Sequence, residues 1–374
     1  MTLRTKLFAL AGSAALLTLA ACSGEQKAGG GPITVSATDT ACEVSSTDAT
    51  AGNLTFEVTN KGTMVTEFYL YTDGDRIMGE VENIAPGLTR KLTVQVANAG
   101  KYQIACKPGM SGDGIRGAFT VTGGAAAPTD ANAQLTAAST SYAAYVATQA
   151  DALKTETQKF ADAVKSGNVA DAKARYATTR VYYERIEPVA EKFGDLDPAI
   201  DVREADLEPG QEFTGFHRLE KDLWASGLQA DSGQIADRLV ADVTKLVTQS
   251  ATLQLNALDL ANGAKELLDE VATGKITGEE ETFSHTDLWD FQANVDGSKG
   301  AIAALRPALA ERDPQLVSTM DTEFANVQQL LDKVRNGDGF KYYNELSQDQ
   351  VKEFASAVDA LGEPLSKAAE VVAK

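Results

Sequence analysis

The sequence predicts a multidomain chain: an N-terminal all-β Greek-key sandwich followed by an all-α helical bundle. Three observations predict it. Short β-branched and aromatic runs separated by turn residues fill residues 32–122, the pattern of a sandwich or barrel. A Gly-Gly-Ala-Ala-Ala-Pro stretch then interrupts the chain at residues 123–128. From residue 135 onward the apolar spacing turns helical, with a period of about 3.6 residues instead of about two.

The chain has 374 residues, 43 % hydrophobic against 23 % charged. That is enough apolar material for real cores in more than one domain. With 53 acidic against 34 basic residues the formal charge is −19, which argues against nucleic acid as a partner, since phosphate backbones are held by clustered Lys and Arg. The two histidines, His217 and His285, leave no room for a His-rich metal centre.

Residues 1–21 read as an address. Arg4 and Lys6 precede an uncharged run over residues 7–21, too short for the roughly 20 residues of a membrane span and suited to a secretory signal peptide. The run ends Leu19-Ala20-Ala21-Cys22. This ending resembles a bacterial lipobox and implies a diacylglycerol on Cys22, followed by a Gly-rich tether over residues 22–31. Cys42 and Cys106 are then outside the cytoplasm, where disulfides persist.

The β region follows, as residues 32–122. Its strand runs are Ile33-Thr34-Val35, Leu54-Thr55-Phe56-Glu57-Val58, Glu67-Phe68-Tyr69-Leu70-Tyr71, Lys91-Leu92-Thr93-Val94-Gln95-Val96 and Ala118-Phe119-Thr120-Val121. Asn60-Lys61-Gly62, Asp73-Gly74-Asp75, Pro86-Gly87 and Asn98-Ala99-Gly100 supply turn signals. A linker spans 123–134, and residues 135–374 form the bundle, with about seven helices and no strands. Val146, Leu153, Phe160 and Val164 share one stripe, as do Leu316, Met320, Phe324, Val327 and Leu331 after an Asp313-Pro314 start. Ser347-x-x-Gln350 has capping-box form.

The bundle carries the chemistry. Phe213, His217, Glu220 and Trp224 are spaced i, i+4, i+7 and i+11, which sets a His and a Glu among aromatics on one core-directed face. Glu184 and Glu187 form a second acidic pair at i and i+3. The bland alternatives are a His–Glu hydrogen bond at a rim and surface pairs Arg180–Glu184 and Glu187–Lys192. A buried carboxylate needs a partner or a cation, and facing bundle helices bind metals through such paired acids and His. An oxygen-rich set with one imidazole suits Fe³⁺, Fe²⁺ or Mn²⁺. Neither H-E-x-x-H nor G-x-S-x-G occurs, which counts against a peptidase.

Gly215-Phe216-His217-Arg218-Leu219-Glu220 and Tyr183-Glu184-Arg185-Ile186-Glu187-Pro188 resemble the imelysin-like helical domain, classed with a peptidase family. The stretch Ser284-His285-Thr286-Asp287-Leu288-Trp289-Asp290-Phe291-Gln292-Ala293-Asn294 is similar to the EfeO family. Its members are extracytoplasmic iron-binding components of the Efe uptake system, often with a cupredoxin-like domain ahead of the helical one. The resemblance covers almost all of the mature chain. It implies iron as Fe³⁺ or Fe²⁺ held by Glu184, Glu187, Asp201, His217, Glu220 and one of Glu279, Glu280 and Glu281, taken as Glu280. It also implies a membrane iron permease and a haem peroxidase-like protein as partners. Ser284-x-x-Asp287 has capping-box form, so His285 is read as a residue that begins a helix.

A blue-copper centre needs two His and a Cys, and residues 32–122 contain no His. Thr66 stands where related domains carry the His, and Cys106-Lys107-Pro108-Gly109-Met110 lacks the intervening one. Two readings stay open for Cys42 and Cys106. One is a disulfide. The other, which the resemblance favours, is a copper or iron site with Glu67 and Met110. The leading function is a lipid-anchored iron-binding protein that delivers to a permease. Its alternatives are a metallopeptidase acting through His217 and Glu220, and a copper redox module.

Overall fold

The computed structural model describes residues 31–72, 77–123, 132–207 and 210–374. The expected signal peptide, Cys22, the turn signal at 73–75 and most of the tether and linker lie outside the described residues.

Among the described residues the β region has nine strands: β1 (Ile33–Ala37), β2 (Cys42–Val44), β3 (Asp48–Thr50), β4 (Gly52–Asn60), β5 (Thr66–Tyr71), β6 (Ile77–Ile84), β7 (Thr89–Val96), β8 (Gly100–Cys106) and β9 (Ile115–Thr122). They form two sheets, ordered β2-β1-β4-β7 and β3-β9-β8-β5-β6. β1 runs parallel to β4, and β4 antiparallel to β7. In β4 the alternation is direct: Leu54, Phe56 and Val58 are buried between less buried neighbours, as a strand with one face on a core requires. Phe56 meets Phe68 at 5.1 Å and Phe119 at 5.5 Å between ring centroids, joining the two sheets.

Cys42 and Cys106 form a disulfide with Cα atoms 5.5 Å apart, which ties β2 in one sheet to β8 in the other. Cys106 lies opposite Phe68 and packs with it in the core. Glu67, the preceding residue on β5, turns to the other face, where it accepts a 2.8 Å hydrogen bond from Tyr69. Met110 sits in the following loop at φ 56°. Glu67 and Cys106 therefore lie on opposite faces of their sheet, and the two sulfurs are bonded to each other.

The bundle comprises α1 (Ala133–Lys165), α2 (Val169–Glu184), α3 (Leu196–Asp201), α4 (Gly215–Lys221), α5 (Ser232–Ser250), α6 (Ala257–Thr273), α7 (Asp287–Arg312), α8 (Pro314–Lys333), α9 (Gln348–Leu365) and α10 (Ala368–Ala373). The predicted stripes of α1 and α8 are buried throughout. Asp313 caps α8 through the Leu316 amide, and Ser347 with Gln350 completes the capping box of α9. The short helices α3, α4 and α10 raise the number above the expected seven, because six or seven residues display too little period to be read. Two-residue strands at Arg335–Asn336 and Gly339–Phe340 pair antiparallel, a correction to the expectation of no strands with the same cause.

His285 does not begin a helix. It has φ 59°, donates its amide to Glu281 at 2.8 Å and accepts from the Tyr343 amide at 2.9 Å. α7 starts two residues later, behind Thr286. The sheet and the bundle touch along β6, β7 and α6, where Asn262 donates to the Thr93 carbonyl at 2.9 Å.

The disulfide closes a separation of 64 residues. Its removal by Cys42→Ser with Cys106→Ser should cost the β region roughly 2–4 kcal/mol. A thermal melt of the double variant checks this, and an unshifted transition would count against it. A thiol assay on residues 32–374 should find no free thiol before reduction.

Candidate cation site

The site is built where α2, α3 and α4 end or begin close together. Gly215 opens α4 at φ 81°, and a Cβ there would lie 2.1 Å from the Ile200 carbonyl oxygen. Only glycine lets α4 start against the end of α3. Gly263 does the same for α6: a Cβ would meet the Pro188 carbonyl oxygen at 1.7 Å. That contact seats α6 against the 3-10 segment Glu187–Phe193.

His217, on α4, is 2 % exposed. Its Nε2 lies 3.5 Å from Asp201 and from Glu280, and its Nδ1 lies 3.6 Å from Glu220 and 4.0 Å from Glu281. Neither ring nitrogen has a hydrogen-bond partner. Asp201, His217 and Glu280 can each offer one ligand atom within 4.8 Å of the others, and so can His217, Glu220 and Glu281. Bonds of about 2.1 Å to one ion hold neighbouring ligand atoms about 3.0–4.2 Å apart. Each ring nitrogen thus faces its own pair of carboxylates, Asp201 and Glu280 at Nε2 and Glu220 and Glu281 at Nδ1, at spacings suited to an ion between that nitrogen and its pair. Glu220 is aimed by its other oxygen, which accepts from the Phe283 amide at 2.9 Å and the Ser284 amide at 2.6 Å.

Two buried cations hold these acids and others, and the oxygens of Asp201, Glu280 and Glu281 that face His217 also contact Arg180. The Arg180 guanidinium, fully buried on α2, contacts Glu184, Asp201, Glu280 at 3.1 Å, Glu281 at 2.6 Å and Asp290 at 3.5 Å. Lys275 arrives from the one-turn helix Lys275–Thr277. Its Nζ lies 2.9 Å from Glu184, 2.8 and 2.7 Å from the two oxygens of Glu187, and 3.8 Å from Glu280. Of the five acids and one His predicted, the structure thus gathers Asp201 and Glu280 at His217 Nε2 and Glu220 at its Nδ1, in two triads that share His217. It gives Glu184 and Glu187 to Lys275 and the Asn294 amide. The expected surface pairs are absent in that form: Arg180–Glu184 is buried, and Lys192 pairs with Asp259 at 2.8 Å.

A cleft of about 310 Å³ leads to this site between β6 and the bundle, lined by Glu80, Glu82, Glu187, Glu191, Glu266 and Glu270 and reaching Asp201 and Glu280. A second cavity of about 220 Å³ opens on His217, Glu220 and Glu280 beside Phe283.

A family model described as imelysin matches residues 138–368, and one described as a cupredoxin-like domain matches residues 9–121. Iron uptake system component EfeO from Escherichia coli O157:H7 is 39 % identical over 341 residues, 90 % of each chain. The proteins of that name from Escherichia coli strain K12 and Shigella flexneri match to the same extent. The chain belongs to the EfeO family. Its fold is accordingly a cupredoxin-like β domain followed by an imelysin helical domain. A solved structure of reduced auracyanin from Roseiflexus castenholzii shares 16 % identity over 24 % of this chain and 95 % of its own, at a TM-score of 0.21, too low to compare the folds.

The electrostatics of this EfeO-family site follow from burial and crowding. Burial disfavours a charged His217, but Asp201, Glu220 and Glu280 outweigh it and lift the imidazole to about 9. Burial pushes Glu280 up, yet Lys275, His217 and Arg180 pull it well below the carboxylate range. Glu281 and Asp290 stay raised by burial and by neighbouring acids. In the cleft, burial and Glu67 lift Glu82 to about 8, and burial and Glu191 lift Glu266 to about 8.

Sequence reasoning did not find Lys275, Asp287 or Asp290 as members of the site, nor Arg180 as its buried centre. Asp287 and Asp290 are again i and i+3, the signal already used for Glu184 and Glu187. Asp290 is fully buried with both oxygens lacking a hydrogen-bond partner.

These shifts set a pH dependence for the metal-free protein. Burial raises Asp197 and Asp287 from 3.8 to about 7, so the folded chain keeps protons that the unfolded chain loses, and stability falls as pH rises through that window. His217, raised from 6.5 to about 9, extends the fall upward. Glu280 and Glu220, held low, withdraw their contribution only below the ordinary glutamate value of 4.5. The metal-free protein should therefore melt at a higher temperature at pH 5 than at pH 8, read by calorimetry; the reverse order would refute these assignments.

Proposed function

We propose that this protein takes up iron outside the cytoplasm, holds it in the helical domain and passes it to a membrane permease. The observation that carries the reading is His217: buried, without a hydrogen-bond partner, and ringed by four carboxylates at 3.5–4.0 Å. A donor set of one imidazole and several carboxylates suits ferric or ferrous iron. His217, Asp201, Glu220 and Glu280 are the leading ligands, with Glu184 and Glu187 behind Lys275. Membership of a family whose relatives are named as iron uptake components supports the same cargo. The acid-lined cleft supports a route of approach: its crowded carboxyls, raised by burial and by one another, can give up protons to an entering cation.

The leading location is the outer face of the cell membrane, with Cys22 carrying the lipid. Among the described residues no helix is long and apolar enough to cross a membrane, so the anchor proposed is the acyl chain. A tether places the cargo near a permease at high local concentration. A partner of the haem peroxidase type belongs to the same proposal.

Titration of the purified full chain with ferric citrate and with ferrous iron tests the cargo. Glu280→Gln and His217→Ala should each weaken binding tenfold or more, and undiminished affinity in both would falsify the site. Mass spectrometry of the N-terminal peptide from membranes should show a diacylated Cys22; an unmodified N-terminus on a soluble protein would remove the anchor.

A further inference from the structure

Lys275 does something a structural counter-ion need not do. Its ammonium occupies the one side of the site from which two more carboxylates could reach a cation. Glu184 and Glu187 lie within 2.9 Å of Nζ, and Glu280 at 3.8 Å is shared between Lys275 and the His217 gap. Hard cations take six or more oxygen-type ligands, and the Asp201–His217–Glu280 triad beside Lys275 offers three residues. The acids that would complete the shell are those Lys275 holds.

We infer that Lys275 is a built-in competitor for the cargo: it yields Glu184 and Glu187 as the cation enters and reclaims them as the cation leaves. This rests on the iron-binding reading above. Arg180 is not suited to that part, because its planar fork is held by acids from α2, α3, the 280–281 turn and α7 together. Lys275 is a point charge on a flexible four-carbon stem, carried by a single turn between Gly274 and Gly278. Glu270 also acts on its charge and lines the cleft beside Glu187 and Glu280, which gives a withdrawn ammonium a carboxylate to move toward.

A tethered competitor acts at high effective concentration without being supplied from solution. It lowers the affinity of the loaded site. It also removes an obstacle to release, since departing iron would otherwise leave buried carboxylates uncompensated. A protein that must hand its cargo on gains from both effects.

The test compares full-length wild type and Lys275→Met for equilibrium binding of ferric citrate and for iron loss to an excess of a hydroxamate chelator, with circular dichroism to establish folding. Lys275→Met should bind tenfold or more tighter and release iron more slowly. A folded Lys275→Met protein that binds equally or more weakly overturns the inference while leaving the iron reading intact, provided wild type binds. Wild type without iron affinity overturns both. Should Lys275→Met fail to fold, Glu187→Gln is compared with Lys275→Met/Glu187→Gln, where one acid is lost with the base. The double variant should bind more tightly than the single one, and equal affinity overturns the inference.

Discussion

The helical domain is organised around one buried guanidinium. Arg180 lies on α2, and its partners come from α2 itself, the end of α3, the turn at Glu280 and Glu281, and α7. A fully buried cation is tolerable only with partners that satisfy it. Arginine suits the position because its fork reaches several carboxylates at once and cannot be deprotonated. The converse matters more. Without Arg180 these acids would face one another in a low-dielectric interior, and uncovering a buried ion pair typically costs about 3–5 kcal/mol. The relative positions of α2, α3, α4 and α7, and so the shape of the His217 gap, depend on that one side chain.

A second constraint is close backbone approach. Gly215 and Gly263 bring α4 and α6 within reach of segments that a Cβ would hold away. α6 is also the helix that β6 lies against, with Glu80 and Glu82 facing Glu266. The glycines that shape the cation gap therefore also set the width of the cleft leading to it. The β domain contributes acids to this approach, while its own cysteines are spent on holding its sheets together.

Much of this was legible in the sequence. Alternation gave β4 and β7, the stripes gave α1 and α8, and the i, i+3 pairs marked segments that the structure packs against one another. What was hidden was burial. Arg180–Glu184 at i, i+4 is indistinguishable in sequence from a surface pair, and it became a core feature only through packing. Lys275 stands between two glycines in a turn with no period, so no pattern directs it inward. Glu80 and Glu82 alternate on β6 like the polar face of a solvated strand, and only docking against α6 turns that face into the wall of a cleft. The choice between disulfide and metal at Cys42 and Cys106 was open because spacing alone does not say which face of β5 Glu67 takes.

The placement of the acids within their helices is the final argument for a cation. Glu184 is the last residue of α2 and Asp201 the last of α3. Helix C-termini expose carbonyl oxygens and carry partial negative charge, so a carboxylate there is destabilising and a cation is favoured. Stability alone would put lysine or arginine at such positions. Here two helices end in acids that converge on a third acidic segment, offset among the described residues by Arg180, Lys275, His217 and, at Glu280, Arg203. An arrangement that sacrifices helix stability at two termini is difficult to explain as scaffolding. It is the expected one if the missing positive charge arrives with the cargo.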